Sequence, residues 1–327
     1  MKLPRRTFLH LAAGAVALPA MSRSVWAQAY PARPVRVIVP TAPGGQVDVI
    51  ARLMAQKLSE RLGKQFYVEN VPGAGGSIGT GRAAQAAPDG YTLLATDGIF
   101  FVSTPSLYNK VSYDISGDFE PVGIGGTTAQ MLAVHPSVPA HTVKELVAVI
   151  KANPGKYSYA SAGVGSGAHL TSELFRLSLG LDLVHVPYNG GGPAIGATLG
   201  GHTQIVFGSP AAIAPHIADS KLNALAVAGK NRMPGLPNVP TMAEAGFPNI
   251  TSDTWVGFLA PAKTPKAIIT LLNQEIVRIV EQQDVKDRML ALGFEAAPYT
   301  PEEMAGFIKV DIAKWTSVIR NAGIKAD

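Results

Sequence analysis

The chain contains no cysteine, which excludes disulfide staples, thiolate metal sites and cysteine nucleophiles together. It is also sparing with charge, at 16% Asp, Glu, Lys and Arg, and with aromatic residues, at 7%. The surplus of positive charge is local. Of the 28 basic residues, Lys2, Arg5, Arg6 and Arg23 precede Gln28, as do none of the 23 acidic ones, so the remainder carries 24 against 23. No later cluster of Lys and Arg occurs, and a nucleic-acid or anionic-membrane role loses its electrostatic support. The apolar run from Phe8 to Ala20 is broken by His10 and Pro19 and is shorter than the ~20 residues needed to span a bilayer. With a basic start before it and Val25 and Ala27 after it, the run reads as a signal peptide over residues 1–27, cleaved near Ala27. Arg5 and Arg6 resemble a twin-arginine export signal. The expected location is the periplasm, with a mature protein not embedded in the membrane. An exported chain without disulfides must rely on its core, and 327 residues at 47% hydrophobic predict two lobes.

Residues 35–39 are a β-branched run suited to a strand buried on both faces, and Val47, Ile50, Met54, Leu58 and Leu62 then recur at helical spacing. Between them, Gly44 and Gly45 allow a sharp turn onto a helix start whose amides lack partners, which suits a small anion. Asp48 sits in that first turn, placed to cap the loop or to reach a ligand through water. A second strand at "QFYVEN", a glycine-rich turn at 73–79 and a third strand at "YTLLAT" complete a β-α-β-α-β unit. Right-handed crossovers put the first strand between the other two, with the crevice at Thr41 to Gly45 and Thr96 to Gly98. The glycines of 73–79 are expected to serve helix–strand packing instead.

The stretch "DFEPVGIGGTTAQMLAVHP" is too long for one compact strand and is expected to cross between lobes, and "NITSDTWVGFLAP" to return. A second alternating set lies between them: helix 142–152, "KYSYAS", helix 168–180, "DLVHVPYNGGG", helix 193–200, "TQIVFGSP" and "NALAVAG". Two long helices, about 265–292 and 301–322, close the chain. The predicted class is α/β, each lobe a mostly parallel sheet flanked by helices, with lobe 1 at 28–126 and 253–327 and lobe 2 at 127–252.

Catalytic patterns fail one by one. "GGSIG" matches the G-x-S-x-G elbow around Ser77, but Val71, Pro72 and Gly73 separate it from its strand, where the elbow requires direct contact. Gly163, Gly165 and Gly167 are spaced G-x-G-x-G, not as a dinucleotide loop, and no lysine follows a glycine loop as in a P-loop. The histidines at 135, 141, 169, 185, 202 and 216 form no close helical pair, so neither a metal nor a cofactor is expected. The remaining loops bind rather than react. "SAGVGSG" offers amides and the hydroxyls of Ser161 and Ser166 as a second anion cradle. Tyr188 and Asn189 in "VPYNGGG" supply a ring and a polar handle. Ser209 is a further candidate at a strand end, and Asp97 at the crevice would repel a second ligand carboxylate yet accept from an ammonium or hydroxyl.

The segments "PGGQVDVIARLMAQKL", "VENVPGAGGSIGTGRAAQAAPDGYTLL", "PSLY", "DFEPVG", "SAGVGSGAHLTSELF", "VPYNGGGPA" and "LPNVPTMAEAGFP" together resemble the Bug family, the extracytoplasmic solute receptors of tripartite tricarboxylate transporters. The likeness extends over residues 30–326. It implies a two-lobed periplasmic binding protein of type II, a monomer without enzymatic activity. It implies a small carboxylate ligand in the cleft, with the loop carrying Gly44, Gly45 and Asp48 facing that of Ser161, Gly163, Gly165 and Ser166. It also implies large and small integral membrane subunits as partners. The chain departs from the family at "TDGIFFVSTPSLY", which adds Asp97, Phe100 and Phe101, and at "GATLGG", with Thr198. Two other classes fit part of the sequence: an exported α/β hydrolase using Ser77, and a ligand-sensing subunit of a signalling system.

Overall fold

The computed structural model describes residues 30–108, 110–233, 235–296 and 298–326. The signal-peptide assignment to residues 1–27 falls outside them. The chain separates Met1–Ala32 from one compact unit, Arg33–Asp327, which holds both sheets. Strand β1 (Val35–Val39) is almost wholly buried and pairs in parallel with β2 (Phe66–Asn70) and β3 (Thr92–Asp97). Helix α1 (Gln46–Leu62) buries Val47, Ile50, Met54 and Leu58 at the spacing the sequence predicts, and stops where Gly63 turns left-handed at φ 67°. The short helix α2 (Ser77–Ala84) and helix α3 (Gly98–Leu107) follow β2 and β3.

The long extended stretch is two strands in different sheets. β4 (Phe119–Ala129) ends the first sheet and β5 (Met131–Val134) lies in the second, with only Gln130 between them. The second set then follows in order: α4 (Val143–Ala152), β6 (Ser158–Ser161), α5 (Gly167–Leu179), β7 (Val184–Pro187), α6 (Gly191–Leu199), β8 (Ile205–Gly208), α7 (Pro210–Ala218) and β9 (Asn223–Val227). The chain returns to the first sheet as β10 (Asp253–Pro261). The orders are β2-β1-β3-β10-β4 and β7-β6-β8-β5-β9. In each sheet one strand opposes its neighbours, β10 in the first and β5 in the second, and each is the strand that has just arrived from the other sheet. The two halves are thus the same α/β layout with one strand exchanged, a two-lobed binding-protein fold of type II.

Three elements differ from the sequence expectation. The single helix expected at 265–292 is two, α8 (Lys266–Val280) and α9 (Gln283–Ala291), because the backbone of Gln282 is extended at ψ 137° and restarts the helix. The helices α3 and α7 were not expected. α3 buries Ile99, Phe101, Val102, Ser103, Thr104 and Leu107 on all sides, so it shows no one-faced stripe to find. The last helix, α10 (Pro301–Ala322), is capped by the reciprocal pair Thr300 and Glu303 and sinks Trp315 fully into the core beneath β4 and β10.

Glycine 79 shows the packing role expected of the 73–79 turn, since a Cβ there would lie 2.5 Å from the Val71 carbonyl and 2.9 Å from Pro40 Cα. By contrast Gly196, inside α6, has nothing within 4 Å. Gly79→Ala should therefore lower stability by ~1–3 kcal/mol, while Gly196→Ala should raise it by ~0.5–1 kcal/mol through helix propensity. Urea unfolding of both variants checks the pair, and equal effects of one sign would contradict it.

Candidate functional site

Six helices start at the carboxyl ends of parallel strands: α1, α2 and α3 in the first sheet, α5, α6 and α7 in the second. Each begins with N–H groups that its own turns cannot satisfy. Three are closed by their own N-cap side chain. Asp97 accepts from Phe100 N at 3.1 Å, Ser166 from His169 N at 3.2 Å and Ser209 from Ala212 N at 3.3 Å. The other three begin at Gly45, Gly76 and Gly190 and carry no side-chain cap.

The loop before α1 is held open from beneath. Asp48 is 3% exposed. Its Oδ2 accepts from Gly44 N at 2.9 Å and Arg52 Nε at 3.0 Å, while Oδ1 accepts from Asn70 Nδ2 at 2.9 Å. Asn70 Nδ2 also donates to the Thr41 carbonyl at 3.1 Å, so the two side chains clasp both ends of the loop. Burial alone would raise the Asp48 pKa, but the hydrogen bonds from Arg52, Gly44 and Asn70 outweigh it and keep the carboxyl below its ordinary value. Gly44, at φ 82°, and Gly45 remain exposed. Asp48 therefore shapes the loop, and the exposed amides at the start of α1 are what the loop offers.

Thr41, Thr96 and Asp97 meet in a small cavity of about 10 Å³ that also takes in Gly75, Gly76 and Phe100. That is room for about one water molecule. Thr41 Oγ1 is buried there with no hydrogen-bond partner. Asp97 spends its second oxygen on Thr254 Oγ1 at 3.0 Å. Burial pushes its pKa up against the bonds from Phe100, Thr254 and Ile99. Phe101 lies in the core, edge-on to Phe119 at 5.4 Å. Asp97 thus caps α3 and Phe101 packs the core, while Phe100 faces the cavity.

In the second sheet the loop after β6 satisfies itself. Gly163 N donates to Ser161 Oγ at 3.2 Å, Gly165 N to His169 Nδ1 at 3.0 Å and Ser166 N to the Gly163 carbonyl at 3.2 Å. Ser161 Oγ also lies 2.7 Å from His185 Nε2. The rings of His169 and His185 stack at 3.9 Å with an interplanar angle of 8°, and Tyr159 stacks on His185 at 4.9 Å. Tyr159 donates to Glu173, which is also gripped by Arg176. Next to this loop, Tyr188 N donates to the Ser161 carbonyl and Gly190 N to that of Ala162. Tyr188 is half-buried and Asn189 exposed. Gly191 and Gly192, the first two residues of α6, stand in open space, and Pro193 has no N–H to add. Across from this loop, a Cβ on Gly165 would strike Leu107 of α3, and one on Gly167 would lie 3.4 Å from Ile99 and Gln130.

Sequence reasoning passed over Arg52, Asn70, the two histidines and Gly191–Gly192. Arg52 had a signal in its i, i+4 spacing from Asp48. The histidines had none, because 16 residues and a change of element separate them.

The family model of the tripartite tricarboxylate transporter family receptor matches residues 50–324. Protein BugT of Bordetella pertussis is 37% identical over 311 residues, covering 95% of either chain. Among solved structures, R. palustris Rpa4515 with adipate superposes with a TM-score of 0.78 at 31% identity, over 90% of this chain and 99% of that one. MatC from Rhodopseudomonas palustris with bound malate gives 0.75 at 31% identity, over 89% and 100%.

The histidine stack yields a pH dependence. Burial, then the charge of His185, pushes the His169 pKa down to about 4, with Glu173 opposing, whereas in the unfolded chain it lies near ~6.5. The unfolded state thus binds the proton more readily over that window. Stability is complete above about pH 6.5 and falls as pH drops toward 4, by up to ~1.4 kcal/mol per pH unit. Lowering the pH from 7.5 to 5.5 should lower the urea midpoint of the native protein relative to that of His169→Gln, because Asp311 and His185 titrate in both. An identical change in the two proteins contradicts the assignment.

Proposed function

Because this chain belongs to the tripartite tricarboxylate transporter receptor family, and so is a solute-binding receptor, we propose that it captures a small dicarboxylate in the periplasm and hands it to integral membrane subunits. The observation that carries the proposal is the division among helix starts. α1 in the first sheet and α6 in the second carry no side-chain cap, whereas α3, α5 and α7 are closed by Asp97, Ser166 and Ser209. Oriented amides at an uncapped start attract a carboxylate without any arginine. With α1 and α2 uncapped in the first sheet and α6 in the second, each sheet offers such a start, which asks for a ligand with an anionic group at either end. Asp97, which on charge alone would discourage a second carboxylate, has both oxygens engaged by Phe100 and Thr254. The adipate and malate bound by the two related structures support the same class.

In this proposal Thr41, Gly44, Gly45 and the first amides of α1 hold one carboxylate, with Thr96 beside them. Tyr188, Asn189, Gly191 and Gly192 hold the other. Asp48, Asp97, Ser161, Gly163, Gly165, Ser166 and Ser209 shape and cap the loops. The lobes divide near residues 127 and 253, which is supported by the change of sheet at Gln130. Contact of Leu107 and Ile99 with the glycines of the facing loop fits lobes that close over the ligand. The mature protein starts near Gln28 and works as a monomer. No helix among the described residues is long and apolar enough to cross a membrane. The protein is not a catalyst in this reading. Ser77 opens α2, and among the described residues no hydrogen bond links it to a histidine or carboxylate that would activate it.

Gln46→Pro tests the first cradle. Proline is accommodated at the first helical position, and Gly45 at ψ 166° suits a following proline. The substitution removes one N–H and little else. Affinity for malate or adipate, measured by calorimetry, should fall about ten- to hundredfold, the ~1.5–3 kcal/mol of a hydrogen bond to a charged group, with the unliganded melting temperature little changed. Unchanged affinity would move the carboxylate elsewhere. If no mono-, di- or aromatic carboxylate raises the melting temperature, the ligand class itself is wrong, since saturation at 100 times Kd should stabilise by about 2.7 kcal/mol.

A further inference from the structure

A second hollow lies away from the loops described above. A groove of about 570 Å³ runs beside the strands that pass between the sheets, and none of its lining residues belongs to the cleft loops. Its floor is the end of β4 and the start of β10, one wall is a face of α10, and the other is the segment after β9 that carries Lys230.

Four carboxyl groups line it: Asp253, Glu295, Glu303 and Asp311. Asp311 is only 9% exposed. Its Oδ2 accepts from Trp255 Nε1 at 3.3 Å, and its Oδ1 accepts no hydrogen bond from the described residues. Burial pushes its pKa up to about 6, and the charges of Asp97 and Asp253 add to this against the pull of Lys314 and the Trp255 hydrogen bond. Glu295 is raised by burial and by Asp253. The four acids outnumber the two lysines that line the groove, although the charge of Lys314 acts on both Asp311 and Asp253 and that of Lys230 on Asp253. Lys314 Nζ already donates to the Thr251 carbonyl, and the Lys230 main-chain N–H donates to Asp253 Oδ1 at 3.2 Å.

The apolar lining has a particular character. Phe307 and Tyr299 pack edge to face at 5.2 Å and 86°. The Lys230 ammonium stands over the Phe307 ring, 6.0 Å from its centre. A ring face that already holds a cation, beside a buried carboxylate with a free oxygen, is the combination that recognises organic ammonium ions. We propose that this groove is a second binding site, for a small organic cation whose ammonium sits between Asp311 and Asp253 and whose apolar body lies on Phe307 and Tyr299, displacing the Lys230 ammonium.

The probe is benzylamine, with benzyl alcohol as its uncharged counterpart, titrated into the full mature protein by calorimetry or amide chemical shifts. Benzylamine should bind at least tenfold more tightly than benzyl alcohol. Asp311→Asn should weaken benzylamine at least tenfold, and Lys230→Met should strengthen it severalfold by removing the internal competitor. Because Asp311→Asn changes a buried group, Val310→Lys serves as the second variant. Val310 is 65% exposed on the same wall, so a fixed ammonium there should abolish benzylamine binding in a folded protein, with malate affinity unchanged. Equal binding of amine and alcohol, no binding of either, or benzylamine affinity indifferent to both Asp311→Asn and Val310→Lys overturns the proposal. Loss of malate binding alone would bear on the cleft and not on this groove.

Discussion

A helix that follows a parallel strand begins with amides its own turns cannot use, and in this protein the way each start is satisfied decides what the cleft can hold. A side-chain cap turns the start into a piece of scaffold. A glycine cap leaves it as a source of positive potential without adding a mobile charge. Asp97, Ser166 and Ser209 do the first, while Gly45, Gly76 and Gly190 do the second. The arrangement explains how a chain with little charge could take an anion in the proposed site, where the arginine at the first cradle, Arg52, is engaged by Asp48 and Asn70. Amides fixed by the fold need no reorganisation when the ligand arrives.

The open starts depend on support below them. In the first sheet Asp48 is ionised and almost fully enclosed, and it is tolerable there because Arg52, Asn70 and Gly44 N surround it. Removing any of these would leave a buried charge short of donors and let the loop at Thr41 to Gly45 relax. In the second sheet the support is aromatic. Three stacked rings, Tyr159, His185 and His169, stand behind a loop that gives its own amides to Ser161 and His169. That loop commits the amides of Gly163, Gly165 and Ser166 to itself, and the proposal assigns ligand binding to the neighbouring start at Gly190 instead.

Much of this was legible in the sequence because local rules governed it. The β1–α1 unit follows from a β-branched run, two glycines and a helical stripe, and the order β2-β1-β3 follows from crossover handedness. The glycines of 73–79 were expected to pack because they follow the outer strand; Gly79 does, whereas Gly75 and Gly76 line the small cavity with Thr41, Thr96 and Asp97. What stayed hidden was settled by tertiary contact. α3 is apolar on all sides, so its sequence carries no period, and the break at Gln282 lies in a stripe that runs through it. Asp97 looked like a selectivity group because sequence shows a charge near a crevice but not the Phe100 amide and Thr254 hydroxyl that absorb it. His169 and His185 come from a helix and a strand, and only the folded sheet stacks them. Ser161 and Ser166 were chosen as donors for their position, and their position is what commits them to the loop itself.

The account turns on which amides are free, and a titration of ¹⁵N-labelled protein with malate reads this directly. The amides of Gln46, Val47, Gly191 and Gly192 are predicted to move downfield as a carboxylate binds, while those of Gly163 and Gly165 keep their shifts because Ser161 and His169 hold them. Large shifts at Gly163 and Gly165 with none at Gly191 and Gly192 would contradict it.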